Sequence, residues 1–304
     1  MRNFEMTKPK IGFIGIGLMG AAMCNRLLDL GYTVTVVANR SRERVDSLVS
    51  RGASEVKTAR EIAGASDIVM LCMDTSASVE SRMYGPDGVI AGLGKDAIVI
   101  DFGTSLPAST KTIGAAVADA GAIYLDCPIG RTPSHALEGK LNLMCSGNAD
   151  AYARVEPVLK DLGENVFHLG DLGTGHTVKL INNFFAQTVA NGMAEAFAMA
   201  DKSGVDRQKV YDVMAAGPLH SGMMDFVKSY AIDGDPNKLA FSIRNARKDV
   251  GYYTDMAESL GVESLMANGA KQALDMSIAA GRGDEFVPLQ VDFFVDLFKT
   301  GKKD

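Results

Sequence analysis

Lys179 and Asn183 stand four residues apart in the run Gly173-Thr174-Gly175-His176-Thr177-Val178-Lys179-Leu180-Ile181-Asn182-Asn183. On a helix that spacing places them on one face. An ammonium group can give a proton to an oxygen that gains negative charge, and a carboxamide can orient that oxygen or the ammonium itself. The pair therefore suits proton transfer at a carbonyl or an alcohol. A lysine near a helix start also feels the positive end of the helix dipole, which disfavours its charged form and makes it a better acid near neutral pH. Leu180 and Ile181 beside it argue against a simple solvated lysine.

A second group of residues suits a different task. Lys10 to Gly20 reads as a short apolar run (Ile11, Phe13, Ile14), then Gly15-x-Gly17-x-x-Gly20, then a helical pattern through Ala21, Ala22, Met23, Leu27 and Leu28. In a strand-turn-helix of this kind the first glycine makes the turn. The second lets the backbone approach a pyrophosphate, and the third lets the helix pack on the strand. The amides of the turn, from Gly15, Ile16, Gly17, Leu18, Met19 and Gly20, then face the phosphates. In NAD-binding versions an acid about 20 residues downstream holds the ribose 2′-hydroxyl. Here the second strand runs into Asn39-Arg40-Ser41, followed by Arg42, with no acid among them. A guanidinium matches a 2′-phosphate with two parallel bonds, and a carboxylate would repel it. NADP(H) is therefore expected over NAD(H), with Asn39, Arg40 and Ser41 as the selecting residues.

These groups need a frame. The first half alternates strand-like and helix-like segments: strands at 33–37, 68–72, 97–101 and 123–126, with helices at 42–51 (capped by Ser41) and 59–63. Further strands are expected at 141–145 and 166–169. Alternation of this kind predicts an α/β, doubly wound parallel sheet of Rossmann type. After Gly170 the pattern changes. A long apolar helix without proline runs from Val178 to about Ala200, with small residues Ala186, Ala190, Gly192, Ala194, Ala196 and Ala198 that permit close packing. Helices follow at 208–215, 222–230, 244–260, 264–280 and 289–299. The division expected is a dinucleotide-binding domain over 1–172 and an all-α domain for substrate and assembly over 173–304.

With these motifs in place the chain resembles the β-hydroxyacid dehydrogenase family, which includes 3-hydroxyisobutyrate dehydrogenase, tartronate semialdehyde reductase and sulfolactaldehyde reductase. The similarity runs from Lys10 onward. Gly15-x-Gly17-x-x-Gly20 matches the family's cofactor loop, and Gly173-x-Gly175-x-x-x-Lys179-x-x-Asn182-Asn183 its catalytic motif. Asp101-Phe102-Gly103-Thr104 matches the segment near the nicotinamide, although the family usually has serine where Gly103 stands. Lys248-Asp249, after Phe241, matches its Lys-Asp pair. The resemblance implies cofactor contacts from Met73, Asp74, Thr104, Phe241 and Lys248. It implies Lys179 as proton donor to a small anionic aldehyde, or acceptor in the reverse direction, with Asn183 orienting the reacting oxygen and Asn182 near the substrate.

The segment Asp126-Cys127-Pro128-Ile129-Gly130-Arg131-Thr132 departs from the family pattern. Most members end it Ser-Gly-Gly. Gly130-Arg131-Thr132 instead resembles the sulfolactaldehyde reductase branch. An arginine and a hydroxyl suit an anion with three acceptor oxygens, at roughly 1.5–3 kcal/mol per charge-assisted bond. 3-Sulfolactaldehyde is thus the first choice of substrate, with 3-hydroxyisobutyrate dehydrogenase and tartronate semialdehyde reductase activities as alternatives. That branch, however, has an acid after its second strand and prefers NADH, which Asn39-Arg40 contradicts. A non-catalytic NADP-binding module is the alternative from another class; the retained Lys179, Asn183 and Lys248 weigh against it. Relatives that reduce imines usually replace the lysine, which argues against that chemistry.

Secondary candidates remain. His176 reads as a surface or capping residue rather than a second proton carrier. His220 and Ser221 lie in a loop that could close over substrate, and His135 follows Arg131 by four residues. The methionines read as core and interface filler. Cys24, Cys72, Cys127 and Cys145 have no CxxC or zinc-like spacing and read as buried free thiols, so no metal is expected. The 304 residues carry a net charge of −6 and no dense basic run, against nucleic acid or anionic membrane as partners. No apolar run reaches membrane-spanning length, and Met1–Pro9 lacks the apolar core of a secretory signal. A cytoplasmic homodimer or homotetramer is the expectation.

Overall fold

Ile11–Ile14, Val34–Val37, Ile68–Leu71 and Ile98–Asp101 are short runs, apolar throughout apart from Gly12, Thr35 and the terminal Asp101, and each is buried along its whole length. Strands of this composition belong in a parallel sheet covered on both faces. They form β1 (Ile11–Ile14), β2 (Val34–Val37), β4 (Ile68–Leu71) and β5 (Ile98–Asp101) of a six-stranded sheet. β3 (Ser54–Val56) lies at one edge and β6 (Ile123–Asp126) at the other. Every pairing is parallel, in the order β3-β2-β1-β4-β5-β6. The structure is a computed structural model and describes residues 8–39 and 42–299.

Helices cover both faces. Residues of α1 (Leu18–Asp29), α2 (Arg42–Ser50) and α7 (Ala149–Leu162) pack with Ile11, Phe13, Met70 and Ile100 in one core. Residues of α3 (Ala59–Gly64), α4 (Ser76–Met83) and α5 (Pro107–Asp119) pack with Ile14, Val69, Leu71 and Val99 in the other. The alternation along β1 and β4 is the two-residue period of a strand. Strand order reverses between β1 and β4, the switch point where such sheets receive ligands beyond their carboxyl ends.

The expected doubly wound sheet is present, with two differences. β3 was not among the expected strands, because an exposed edge segment of Ser, Glu and Val carries no apolar signal. The strands expected at 141–145 and 166–169 do not extend the main sheet. β7 (Ile129–Gly130), β8 (Leu141–Cys145) and β9 (Gly163–His168) form a separate three-stranded sheet with β7 antiparallel to β8, and α6 (Pro133–Leu137) lies between β7 and β8 in the chain.

The described chain divides into two compact units, Met1–Lys179 and Leu180–Asp304. The second is all helix: most of α8 (Thr174–Lys202), then α9 (Arg207–Ala215), α10 (Gly222–Ala231), α11 (Ile243–Ser259), α12 (Leu265–Ala279) and α13 (Gln290–Lys299). Its core joins Met193 and Phe197 to Val227, Ile243, Val250, Leu274, Val291 and Phe294. Ala190, Ala194 and Ala198, spaced four apart, are the small residues of α8 that enter this core. Gly192 is exposed and Ala196 half-buried. Among the described residues no helix is long and apolar enough to cross a membrane.

Candidate active site

The turn after β1 has the geometry its glycines imply. Gly15 has φ +101°, and a β-carbon there would stand 2.3 Å from the Cys72 carbonyl oxygen. At Gly20 it would stand 2.1 Å from the Gly15 carbonyl oxygen, so α1 seats directly on the turn. Gly17 differs: a β-carbon there meets nothing within 4 Å, and the residue is exposed. The protein's own packing does not require glycine at that position, as expected if a ligand takes the space. The first bond of α1 runs from the Ala21 amide to the Gly17 carbonyl, so the amides of Leu18, Met19 and Gly20 precede the helix ladder. Ile16 is buried beneath them. These residues fit a pyrophosphate.

Across the switch point, Met73 follows β4 with its sulfur against Gly15. Asp74 accepts a hydrogen bond from the Ser78 hydroxyl at 2.9 Å. Gly103 sits tightly against its neighbours. A β-carbon would stand 2.9 Å from the Met73 carbonyl oxygen and 3.0 Å from Asp101 Oδ1. Thr104, next in the chain, is half-buried. Asn39 is exposed after β2, while Arg40 and Ser41 lie outside the described residues. Arg42 is engaged: its guanidinium donates to both oxygens of Glu55, at 2.6 and 2.8 Å, and to Asp46.

α8 begins at Thr174, four residues before the apolar pattern suggests. Asp126, at the end of β6, is the cause. Its carboxylate accepts the amides of Gly173 at 2.8 Å and His176 at 2.7 Å, and the Ser146 hydroxyl accepts the amide of Gly175 at 2.9 Å. The orphan amides of a helix start are thus satisfied by groups distant in sequence. Gly173 has φ +94°, and a β-carbon at Gly175 would lie 2.2 Å from the Met144 carbonyl oxygen. Lys179 sits on the second turn of this anchored helix. His176 is fully buried, which corrects the expected surface or capping role for its side chain.

Arg131 adopts φ +78°, a left-handed conformation that costs a residue with a β-carbon roughly 1–2 kcal/mol. It is the position at which the resembled family usually has glycine. Nη1 donates to the Lys140 carbonyl at 2.7 Å and pairs with the Glu164 carboxylate. Its charge is therefore partly committed within the protein. Thr132 Oγ1 contacts Ser134 Oγ at 2.8 Å and His135 Nδ1 at 2.7 Å. Gly130 pairs with Asn142 in the small sheet.

In the helical unit, Asn183 is buried and donates from Nδ2 to Asp249 Oδ2 at 2.6 Å. Its Oδ1 accepts from Asn182 Nδ2 at 3.2 Å. These two bonds fix which way the amide faces. Lys248 Nζ stands 2.9 Å from Asp249 Oδ1 in an ion pair rather than an aligned hydrogen bond. Asp249, itself 2% exposed, thus joins its neighbour Lys248 to Asn183, which lies 66 positions before Asp249 in the sequence. Its residue type gave no sign of that link beyond the family's Lys-Asp pair. Phe241 packs at the edge of the helical core. Ser221 caps α10 through the Met224 amide. His220 Nε2 lies 2.9 Å from Asp225 Oδ1, which also accepts from the Tyr211 hydroxyl. Burial pushes Asp225 up, but the bonds from Tyr211 and His220 outweigh it and hold the carboxyl below the usual range. Tyr211 is pushed up to about 12, by the Asp225 bond first.

The four cysteines are free. Burial pushes Cys24 and Cys127 well above the ordinary thiol range and Cys72 up to about 12, so these three stay protonated and inert.

Two family models match. The NAD-binding domain of 6-phosphogluconate dehydrogenase matches residues 10–170. The NAD-binding domain of NADP-dependent 3-hydroxyisobutyrate dehydrogenase matches residues 173–287. The chain is 32% identical over 279 residues to 3-sulfolactaldehyde reductase of Escherichia coli, covering 90% of this chain and 91% of that one. It is 28% identical over 277 residues to 2-(hydroxymethyl)glutarate dehydrogenase of Eubacterium barkeri, covering 91% of each. The solved structure of Psf3 in complex with NADP+ and 2-OPP superposes with a TM-score of 0.82 at 27% identity, over 93% of this chain and 99% of that one. Parallel sheet, glycine turn, anchored lysine helix and these matches lead to one conclusion: the chain belongs to the β-hydroxyacid dehydrogenase family, the 3-hydroxyisobutyrate dehydrogenase-like NAD(P)-dependent oxidoreductases.

Proposed function

We propose that this enzyme reduces a small aldehyde bearing a remote anionic group, with NADPH as the preferred reductant and 3-sulfolactaldehyde as the first-choice substrate. The observation that carries the reaction type is Lys179 on the anchored start of α8, followed one turn later by Asn183 with its amide held by Asp249. When bound, the nicotinamide supplies the hydride. Lys179 gives its proton to the oxygen as that atom becomes an alkoxide, and takes a proton from the alcohol in the reverse direction. Asn183 presents a fixed amide to the same oxygen, and Asn182 supports it. Lys248 and Phe241 serve the cofactor, with Met73, Asp74 and Thr104.

For the anionic tail, Arg131 uses Nη1 alone in its contacts with Glu164 and Lys140. Its Nε–Nη2 edge keeps the two-point geometry that suits a sulfonate or carboxylate. Thr132 is a further proposed contact of the anion, and in the helical unit His220 and Ser221, in the loop before α10, are proposed substrate contacts. The 32% identity to 3-sulfolactaldehyde reductase over most of both chains supports the sulfonate. The absence of an acid at Asn39 and the complex of a 27% identical structure with NADP+ support NADPH. Homo-oligomerisation belongs to this reading too, since α9 buries no residue and Val213, Leu265 and Met266 are exposed on the helical unit.

Initial rates for 3-sulfolactaldehyde and methylmalonate semialdehyde, each with NADPH and NADH, test this. A kcat/KM ratio above about a hundredfold for the sulfonate, or ~2.7 kcal/mol of transition-state discrimination, is expected. A preference for the carboxylate would move the enzyme to the ordinary semialdehyde reductases. A preference for NADH would remove the role of Asn39, Arg40 and Ser41.

Asp249→Ala leaves the Asn183 amide and the Lys248 ammonium without their shared acceptor. A charge-assisted bond contributes about 1.5–3 kcal/mol, so kcat should fall about 10- to 100-fold. Steady-state kinetics at saturating cofactor, with circular dichroism to confirm the fold, check this. An unchanged kcat would take Asn183 out of the mechanism.

A further inference from the structure

Two backbone irregularities in the sheet unit meet at one ion pair. Arg131, after β7, has φ +78°. Glu164 lies on β9 where Leu141 pairs with Gly163 and Asn142 with Asn165, so Glu164 has no partner residue on β8. A bulged residue of this kind turns its side chain out of the strand's alternation. Here the Glu164 carboxylate meets Arg131 Nη1, which also donates to the Lys140 carbonyl at 2.7 Å. The two side chains are 29% and 52% exposed. An exposed ion pair returns less than a left-handed residue with a β-carbon costs. Strain that local contacts do not repay is the mark of a functional position.

The pair also stands near the chemistry. In the same unit, a β-carbon at Gly175, in the first turn of α8, would lie 2.2 Å from the Met144 carbonyl oxygen and 3.2 Å from Pro128 Cδ. One at Gly130 would lie 3.6 Å from Met144 Cε. The chain that leads into Arg131 is therefore packed against the helix start that carries Lys179. Charges balance at this place. Arg131 pairs with Glu164, and Lys140 with Glu138 at 2.7 Å. The Lys140 bond holds the Glu138 carboxyl below its usual range, and Glu138 in turn raises the Lys140 ammonium, so both stay ionised. The Nε–Nη2 edge of Arg131 can share its charge with a tail that carries one negative charge. A second charge on the tail would face the Glu164 carboxylate with Lys140 already matched, and an unpaired charge of that kind rejects a ligand.

We propose that Glu164 is a positioning and specificity-determining residue: it holds Arg131 by Nη1, leaves the Nε–Nη2 edge to a tail with one negative charge, and repels a tail with two. Sulfonate and carboxylate tails are then accepted. A phosphorylated aldehyde of the same length is refused, because a phosphate monoester carries close to two charges at neutral pH. The inference rests on Arg131 as the anion contact of the proposed function. It does not depend on which monoanion is the natural substrate.

The test is calorimetric titration of the NADPH-loaded enzyme in mildly alkaline buffer. The probes are 2-hydroxyethanesulfonate, 2-hydroxyethylphosphonate and the monomethyl ester of that phosphonate. The first and third carry one charge and the second carries two, at nearly the same shape. Wild type should bind the monoanions about fivefold tighter than the dianion, the range over which an exposed charge acts. Glu164→Gln keeps an oxygen toward Arg131 Nη1 and removes the charge, so it should narrow that gap about threefold or more. An unchanged gap overturns the proposal, as does a wild type that prefers the dianion. Glu164→Ala differs from Glu164→Gln only in its hold on Nη1 and should bind the monoanions more weakly; equal affinity in the two variants overturns the positioning role. Arg131→Gln should lose all the probes. Wild type that binds none of them, or Arg131→Gln that binds them as wild type does, removes Arg131 as the anion contact and this proposal with it. A misplaced anion site and a wrong role for Glu164 thus give different results, and neither needs turnover of a chosen aldehyde.

Discussion

Lys179→Ala should lower kcat by about two to four orders of magnitude, the range that general acid catalysis contributes, while NADPH still binds. The argument is positional. α8 is fixed at its start by Asp126 and Ser146, so the alanine helix keeps its course. Only the ammonium side chain proposed as proton donor is removed. Single-turnover rates and NADPH titration on the same preparation separate the two effects. Near-normal turnover would end the role of Lys179, and loss of NADPH binding together with turnover would mean that the lysine serves the cofactor. Rescue of the alanine variant by added alkylamine would support the donor role further.

Gly17→Val should leave the fold intact and weaken NADPH binding by about a hundredfold or more. Gly17 has φ −82° and ψ −161°, which a residue with a β-carbon adopts without strain, and its surroundings are open. The valine would instead occupy the space of a pyrophosphate against the amides of Leu18 and Met19. Losing two charge-assisted bonds of roughly 1.5–3 kcal/mol each gives that magnitude or more. Gly20→Ala makes the contrast, since its β-carbon would meet the Gly15 carbonyl oxygen at 2.1 Å and the fold itself should suffer. Melting temperature and NADPH affinity, measured for both variants, tell packing from ligand contact. Wild-type affinity in Gly17→Val would place the pyrophosphate elsewhere.

The sheet was readable where burial on two faces forces a continuous apolar run, as at Ile11–Ile14 and Ile68–Leu71. It was not readable at Ser54–Val56, where pairing with β2 at the sheet edge supplies the order and only Val56 turns to the core. The helices that follow α8 were legible to within about two residues, and α10, α11 and α13 carry clear apolar stripes. α4, α5 and α7 escaped a reading centred on the strands between them. The start of α8 depends on Asp126, 47 to 50 positions earlier, so local periodicity places it late. The candidate site divides in the same way. Glycines and Lys179 announce themselves by spacing. The direction of Arg131 is set by Glu164, 33 residues on, and that of Asn183 by Asp249, 66 residues on. Only the folded chain brings such partners together.

The anchoring of α8 also bears on how such enzymes exchange parts. The division between compact units falls after Lys179, so the lysine goes with the sheet and Asn183 with the helices. A helical half transplanted from a relative with the cut before Gly173 would carry a foreign Lys179 whose first turn must find its acceptors on a sheet that did not evolve with it. A cut after Lys179 keeps Asp126, Ser146 and the turn they hold in one piece. Recombination between relatives therefore has a natural seam one turn inside the long helix, and chimeras joined there inherit Lys179 with its anchored turn from one parent and Asn183 with the helices from the other.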